Sequence, residues 1–117
     1  MHELALARGI LAAAVAHADG RRVKRVDVTV GALRQVVPSS LKFHFEILAR
    51  ETTCERARLE QRLIPAQLRC ACGSEWELVE LDFRCPRCGA AETEVVGGEE
   101  LRVEEIEVEE EPCTAAR

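Results

Sequence analysis

Aromatic side chains are nearly missing from this sequence: among 117 residues there are one Trp, three Phe and no Tyr. Sequence-tolerant binding of single-stranded nucleic acid relies on aromatic platforms, so binding of that kind is not expected. Gly and Pro are sparse as well, at 7 and 4, while 47% of the residues are hydrophobic, which excludes a fibrous or wholly disordered chain. Long apolar runs are missing too. The longest, Ile10–Ala16, has seven residues, against the roughly 20 that cross a bilayer. Only Arg8 precedes it as a positive charge and no Ala-x-Ala-type cleavage site precedes a plausible mature start, so neither a membrane nor a secretory signal is expected and the cytosol is the default.

Positive charge is the scarcer sign. The net charge of -5 disfavours a general polyanion binder, and no nucleic-acid partner is expected. The imbalance is local: residues 1–70 carry 12 Lys+Arg against 7 Asp+Glu, and residues 71–117 carry 4 against 14. The Glu-rich end reads as a solvated surface or as a face for a basic partner, and composition does not choose between them. Catalytic signatures are missing: there is no Gly-rich phosphate loop, no H-E-x-x-H, and no Ser or Cys nucleophile with a recognisable base nearby. The chain is not expected to be an enzyme.

What is present divides the chain in two. Residues 4–18 read as a helix, with Leu4, Ala7, Leu11, Ala14, Val15 and Ala18 on one face and Asp19-Gly20 as its stop. Val26, Val28 and Val30 alternate with polar residues, the period of a half-buried strand. Pro38-Ser39-Ser40 reads as the start of a second helix with Ser as its cap, burying Leu41, Phe45 and Leu48 beside Ile47. A strand over 57–64 follows, with Ala57, Leu59, Gln61 and Leu63 on one face. Residues 69–92 are different in kind: four Cys, three turn-forming dipeptides, a short strand Trp76–Leu81, and little that could form a core. Gly97-Gly98 reads as a joint. In the closing strand Leu101 and Val103 share one parity and Ile106 and Val108 the other, so a bulge or twist is expected near Glu104-Glu105. The expected fold is therefore α+β: a small mixed sheet of about three strands with two helices, into which a four-cysteine zinc-ribbon or knuckle is inserted. The first domain is expected over 1–67, completed by a strand at 99–110, and the zinc-binding domain over 68–97.

Six Cys in a cytosolic chain suggest metal or redox chemistry rather than structural disulfides. Cys70-x-Cys72 and Cys85-Pro86-Arg87-Cys88-Gly89, twelve residues apart, put four thiolates on two turns, which suits tetrahedral Zn²⁺. The Gly after Cys72 and after Cys88 permits tight turns that free amides to donate to sulfur. Four protein ligands leave no open position, so a structural zinc is expected over a catalytic one. Iron in the same ligands and a redox dithiol are the competing readings. The first pair is C-x-C rather than the commoner C-x-x-C, and its turn must be tighter. Cys54 reads as a small buried residue and Cys113 as a free thiol in a polar tail.

The opening Met1-His2-Glu3 offers a second donor set. His at position 2 is large enough to protect the initiator Met, so the Met1 amine, the His2 amide nitrogen and the His2 imidazole can close fused rings around one metal. Planar nitrogen donors suit Ni²⁺ or Cu²⁺. A His at a given position is common, and spacing alone does not establish a site. His17 and His44 lack partners at ligand spacing and read as cap or surface residues.

Taken together, these residues resemble one family, the HypA/HybF nickel metallochaperones of NiFe-hydrogenase maturation. The resemblance runs from Met1-His2-Glu3-Leu4 through VDVTVGALRQVVPSSLKFHFE, the Leu59–Pro65 strand and both Cys pairs to Gly98-Glu99-Glu100-Leu101. It implies a protein that carries Ni²⁺ at its N-terminus (the Met1 amine, His2, and Glu3 as the acidic neighbour). It also implies Zn²⁺ held by Cys70, Cys72, Cys85 and Cys88. Aligned on Cys72, the family's usual first ligand position is Arg69 here, so Cys70 takes over that role. The implied partners are the nickel-handling GTPase HypB and the hydrogenase large-subunit precursor, with urease served by some members. The expected state is a monomer or weak homodimer. The alternative is a zinc-ribbon module that binds protein or RNA and has no nickel function.

Overall fold

A computed structural model describes residues 2–78 and 82–112. Its elements are helix α1 (His2–Ala18), strand β1 (Arg21–Gly31), a 3-10 turn (Ala32–Arg34), helix α2 (Pro38–Leu48), and strands β2 (Arg58–Ile64), β3 (Gln67–Arg69), β4 (Glu75–Glu77), β5 (Glu94–Gly97) and β6 (Leu101–Pro112). The fold is α+β, as expected. The described residues gather into two compact units, one from 2–29, 36–62 and 102–112, the other from 30–35, 63–78 and 82–101.

The first unit packs α1 and α2 together and carries a three-stranded sheet of order β2-β1-β6. The closing strand thus pairs with β1. Its burial changes parity where two consecutive residues, Glu104 and Glu105, are exposed. Arg25 on β1 ties the two strands by pairing with Glu107 at 2.8 Å. Fully buried Leu41, Phe45, Val23, Val26 and Val28 form the core. The buried stripe of α1 is Glu3, Ala7, Ile10, Ala14 and Ala18, rotated from the expected one; Leu4 and Val15 are each 37% exposed. Three alanines in that stripe let the helix backbone come close, which the larger Leu and Val side chains would prevent.

Helix α2 starts differently from its expected form. Val37 is the cap residue, extended at φ -84, and Pro38 is the first helical residue, so Ser39 and Ser40 lie inside the first turn. Proline suits that position because its missing N–H would have had no helical acceptor. No side chain of the cap residue bonds the helix; the Val37 N–H instead donates to Glu3 Oε2 at 3.2 Å. The Gln61 side chain donates to the Pro38 carbonyl at 2.9 Å. On β2, Leu59 is buried, but Leu63 is 65% exposed against expectation, because the strand leaves the first unit after Arg62.

The second unit holds an antiparallel sheet of order β4-β3-β5. Leu68 at its centre, opposite Trp76 and Val95, is fully buried. Of the expected strand Trp76–Leu81, Trp76 and Glu77 are in β4, Leu78 lies beyond it, and Leu81 falls outside the described residues. The expected joint at Gly97-Gly98 is a point of close packing. Gly98 has φ +104, and a Cβ there would sit 2.5 Å from Ala66 Cα. Leu33 N–H donates to the Gly98 carbonyl at 2.8 Å.

Candidate metal centres

Cys70 follows β3, and the turn Cys70–Ser74 leads into β4, so the three-residue strands of this sheet carry the first pair of thiols to one end. The second pair comes from the turn Cys85–Ala90 ahead of β5. Among the described residues these four Cys are the one set of three or more ligand-capable side chains that converge, with all Sγ atoms within 4.8 Å of one another. Across the two turns, Cys70 Sγ lies 3.5 Å from Cys88 Sγ and Cys72 Sγ lies 3.7 Å from Cys85 Sγ. A tetrahedron with metal–sulfur bonds of about 2.3 Å, the Zn–S length, has edges of about 3.8 Å. The donor set and its spacing fit a zinc ion. Cys70 and Cys85 are buried, while Cys72 and Cys88 face solvent.

The two turns differ by one residue. Around the second pair, Cys85 N–H donates to Ala90 O at 3.0 Å and Gly89 N–H to Cys85 O at 2.9 Å. Around the first, Cys70 N–H donates to Ser74 O at 2.9 Å and Gly73 N–H to Cys70 O at 2.9 Å. Gly73 at φ +95 and Gly89 at φ +77 make both reversals possible. C-x-C is thus accommodated by a shorter turn of the same kind. Arg69 belongs to β3, where it pairs with Glu94 on β5.

Local donors divide the four thiols. The Ser74 hydroxyl and amide hold Cys72 down at about 6. The Cys88 amide, and after it that of Arg87, holds Cys85 down despite its burial. The Cys72 amide favours the Cys70 thiolate, but burial and the three neighbouring sulfurs outweigh it and push Cys70 up to about 11. Metal binding to thiols releases their protons, so a cation entering the cluster competes with those that remain. Cys54 lies elsewhere, fully buried in the first unit, where loss of solvent pushes its thiol up to about 11. Cys113 falls outside the described residues.

His2 opens α1 and is exposed, and Met1 falls outside the described residues. Among the described residues, His2 does not converge with two other ligand-capable side chains. Glu3 is only 7% exposed and faces the start of α2 through Val37. The amino-terminal charge two residues upstream, the Val37 amide and its own amide hold the Glu3 carboxyl down at about 2. His17 bonds locally, with Nδ1 2.8 Å from the Ala13 carbonyl, and His44 stacks edge-on against Phe43 at 5.6 Å. Two contributors escape sequence reasoning: Ser74 beside Cys72, and Val37 as the partner of Glu3. Ser74 has one visible signal, a hydroxyl two residues after a ligand; the Val37 contact spans 34 residues and has none.

The family model described as "Hydrogenase/urease nickel incorporation, metallochaperone, hypA" matches residues 1–108. The hydrogenase maturation factor HypA of Geobacter metallireducens is 41% identical over 110 residues, covering 93% of this chain and 100% of that protein. Its counterpart in a Nostoc species is 40% identical over 111 residues, covering 94% and 97%. The solution structure of a HypA protein matches with a TM-score of 0.69 at 25% identity, over 95% of this chain and 98% of that one. The solution structure of the Ni metallochaperone HypA from Helicobacter pylori shares the fold, with a TM-score of 0.66 at 24% identity over 92% and 97% of the two chains. Among the described residues, no helix is long and apolar enough to cross a membrane.

Proposed function

The chain belongs to the HypA family, and from that premise we propose that it is a nickel carrier for the maturation of NiFe-hydrogenase, and of urease where that enzyme is served. Ni²⁺ is its cargo, taken by the Met1 amine, the His2 amide nitrogen and the His2 imidazole, with Glu3 as the acidic neighbour. The supporting observation is that His2 is the first residue of α1 and is exposed. The first N–H groups of a helix have no acceptor within it. Ni²⁺ can therefore displace the His2 amide proton without breaking a helical hydrogen bond. Nitrogen donors in a plane suit Ni²⁺, and because they must be deprotonated, affinity falls as pH falls. An exposed chelate can also be dismantled one donor at a time by a receiving protein. Glu3 contributes by fixing the first turn of α1 against Val37.

Cys70, Cys72, Cys85 and Cys88 would hold Zn²⁺ as a structural ion, since four protein thiolates leave no position for substrate. When bound, zinc supplies a cross-link in place of a core. The nickel function is carried by residues 1–67 with the strand at 99–110, and the zinc function by residues 68–97. The partners are the GTPase HypB and the hydrogenase large-subunit precursor, met in the cytoplasm by a monomer or weak homodimer that carries metal rather than catalysing a reaction. Metal analysis of the untagged protein before and after nickel loading, with X-ray absorption at the nickel edge, tests this reading. Tightly held zinc and a nickel shell of nitrogen or oxygen are expected. A sulfur-dominated nickel spectrum would assign the cargo to the Cys cluster instead.

A further inference from the structure

We propose that Ser74 is a positioning residue for the thiol cluster: its hydroxyl accepts from the Cys72 thiol at 3.5 Å, turns to donate to the sulfur once that proton is lost to a metal, and makes the shortened Cys70-Ala71-Cys72 turn able to keep the ion at its solvent-facing corner. The inference rests on the reading of the four Cys as a zinc site. The molecule contains its own control, because the two turns can be compared residue by residue. Cys72-Gly73-Ser74 corresponds to Cys88-Gly89-Ala90, and the strand-closing acceptors are the carbonyls of Ser74 and Ala90. The position therefore tolerates Ala as far as the backbone is concerned. What Ser adds is a hydroxyl, and its Oγ lies 3.5 Å from Cys72 Sγ.

The need for that hydroxyl follows from the missing residue. In the longer turn the second Cys is three residues after the first, and the Cys88 N–H reaches back to Cys85 Sγ at 3.5 Å. The first turn brings its second Cys one residue early. Cys72 is also one of the two exposed sulfurs of the cluster, where water competes both for the metal and for the sulfur. A donor beside such a thiolate spreads its charge and fixes the direction in which its remaining lone pair meets the metal. Ser74 is itself half-buried, and its contact with Cys72 lies at the exposed side of the cluster.

The test uses the full chain with Ser74→Ala and Ser74→Thr, loaded with Zn²⁺ or with Co²⁺ as a spectroscopic substitute. Wild-type protein should show thiolate-to-cobalt charge transfer with tetrahedral d–d bands; if it does not, the zinc reading itself fails. Given those bands, Ser74→Ala should shift the charge-transfer maximum to longer wavelength. It should also lose zinc to a chromogenic chelator about tenfold faster, the lower end for groups that hydrogen-bond metal ligands. Ser74→Thr, which restores a hydroxyl, should return both readouts toward wild type. A Ser74→Ala protein with wild-type cobalt bands and wild-type zinc release would overturn the inference. So would an Ala variant whose module is unfolded and whose Thr counterpart is no better, since the residue would then be supporting backbone and not sulfur.

Discussion

The two units of this chain solve the problem of stability by different means. In the first, Phe45, Leu41, Val23, Val26, Val28 and Cys54 are fully buried between helices and sheet, so removal of apolar surface from water holds it. In the second, Leu68 is the one large side chain buried to that degree among the described residues, and the other core members include Cys70 and Cys85 themselves. A unit with so little to bury needs a staple, whereas the other has a core of its own. On the proposed reading, a zinc ion in the second unit would be structural because of what surrounds it, and a cargo site on the first could stay labile because its platform has a core of its own.

Stripping zinc, or Cys85→Ala, should have the largest effect, because structural zinc supplies on the order of 10–16 kcal/mol of apparent folding free energy in small modules. Amide NMR should lose the dispersed resonances of β3 and β5 while α1 and α2 keep their helical signal. An ordered module without zinc would break the comparison. In the other unit Phe45→Ala, by emptying a fully buried site, should cost about 3–5 kcal/mol, read as a lower thermal midpoint with zinc content unchanged. A tag before Met1, or His2→Ala, should weaken nickel binding at least about 100-fold, or about 2.8 kcal/mol, with zinc and fold untouched; a tagged protein binding as tightly as the untagged one would sink the terminal chelate.

Glu3→Gln should act more gently, and its sign is fixed by the low-lying carboxyl. Because the folded state holds Glu3 at about 2 against an ordinary 4.5, its contribution is present above the ordinary value and is lost as pH falls through that window. Thermal melts followed from about pH 5 down to about pH 2 should decline less steeply in the variant. The smallest effect belongs to His17→Ala, whose ring bonds locally to the Ala13 carbonyl on an exposed face. Nickel titration should not distinguish it from wild type.

Local chemistry is the legible part of this sequence. Cys70, Cys72, Cys85 and Cys88 announce themselves because ligand spacing is written within a few residues, and their sulfurs do converge. Both helices and the return of β6 to the sheet follow from periodicity. Strands β3 and β5, of three and four residues, are too short to show a period, so the second sheet is not visible in advance. The stripe of α1 is misplaced when Leu4 and Val15 are weighted above the alanines that permit close packing. The start of α2 is hidden because the acceptor for its cap residue, Glu3, lies on another helix.

One feature of the first sheet bears on how such a protein lives among its own copies. Strand β6 is one of the two outer strands of the order β2-β1-β6, and an outer strand offers a row of unused backbone donors and acceptors to any matching segment. Glu104, Glu105, Glu109 and Glu110 stand exposed along it. Two identical edges brought together would set carboxylates against carboxylates, and like charges placed opposite one another disfavour the ladder they could form. Any pairing of two copies is thereby steered away from this edge and toward other faces.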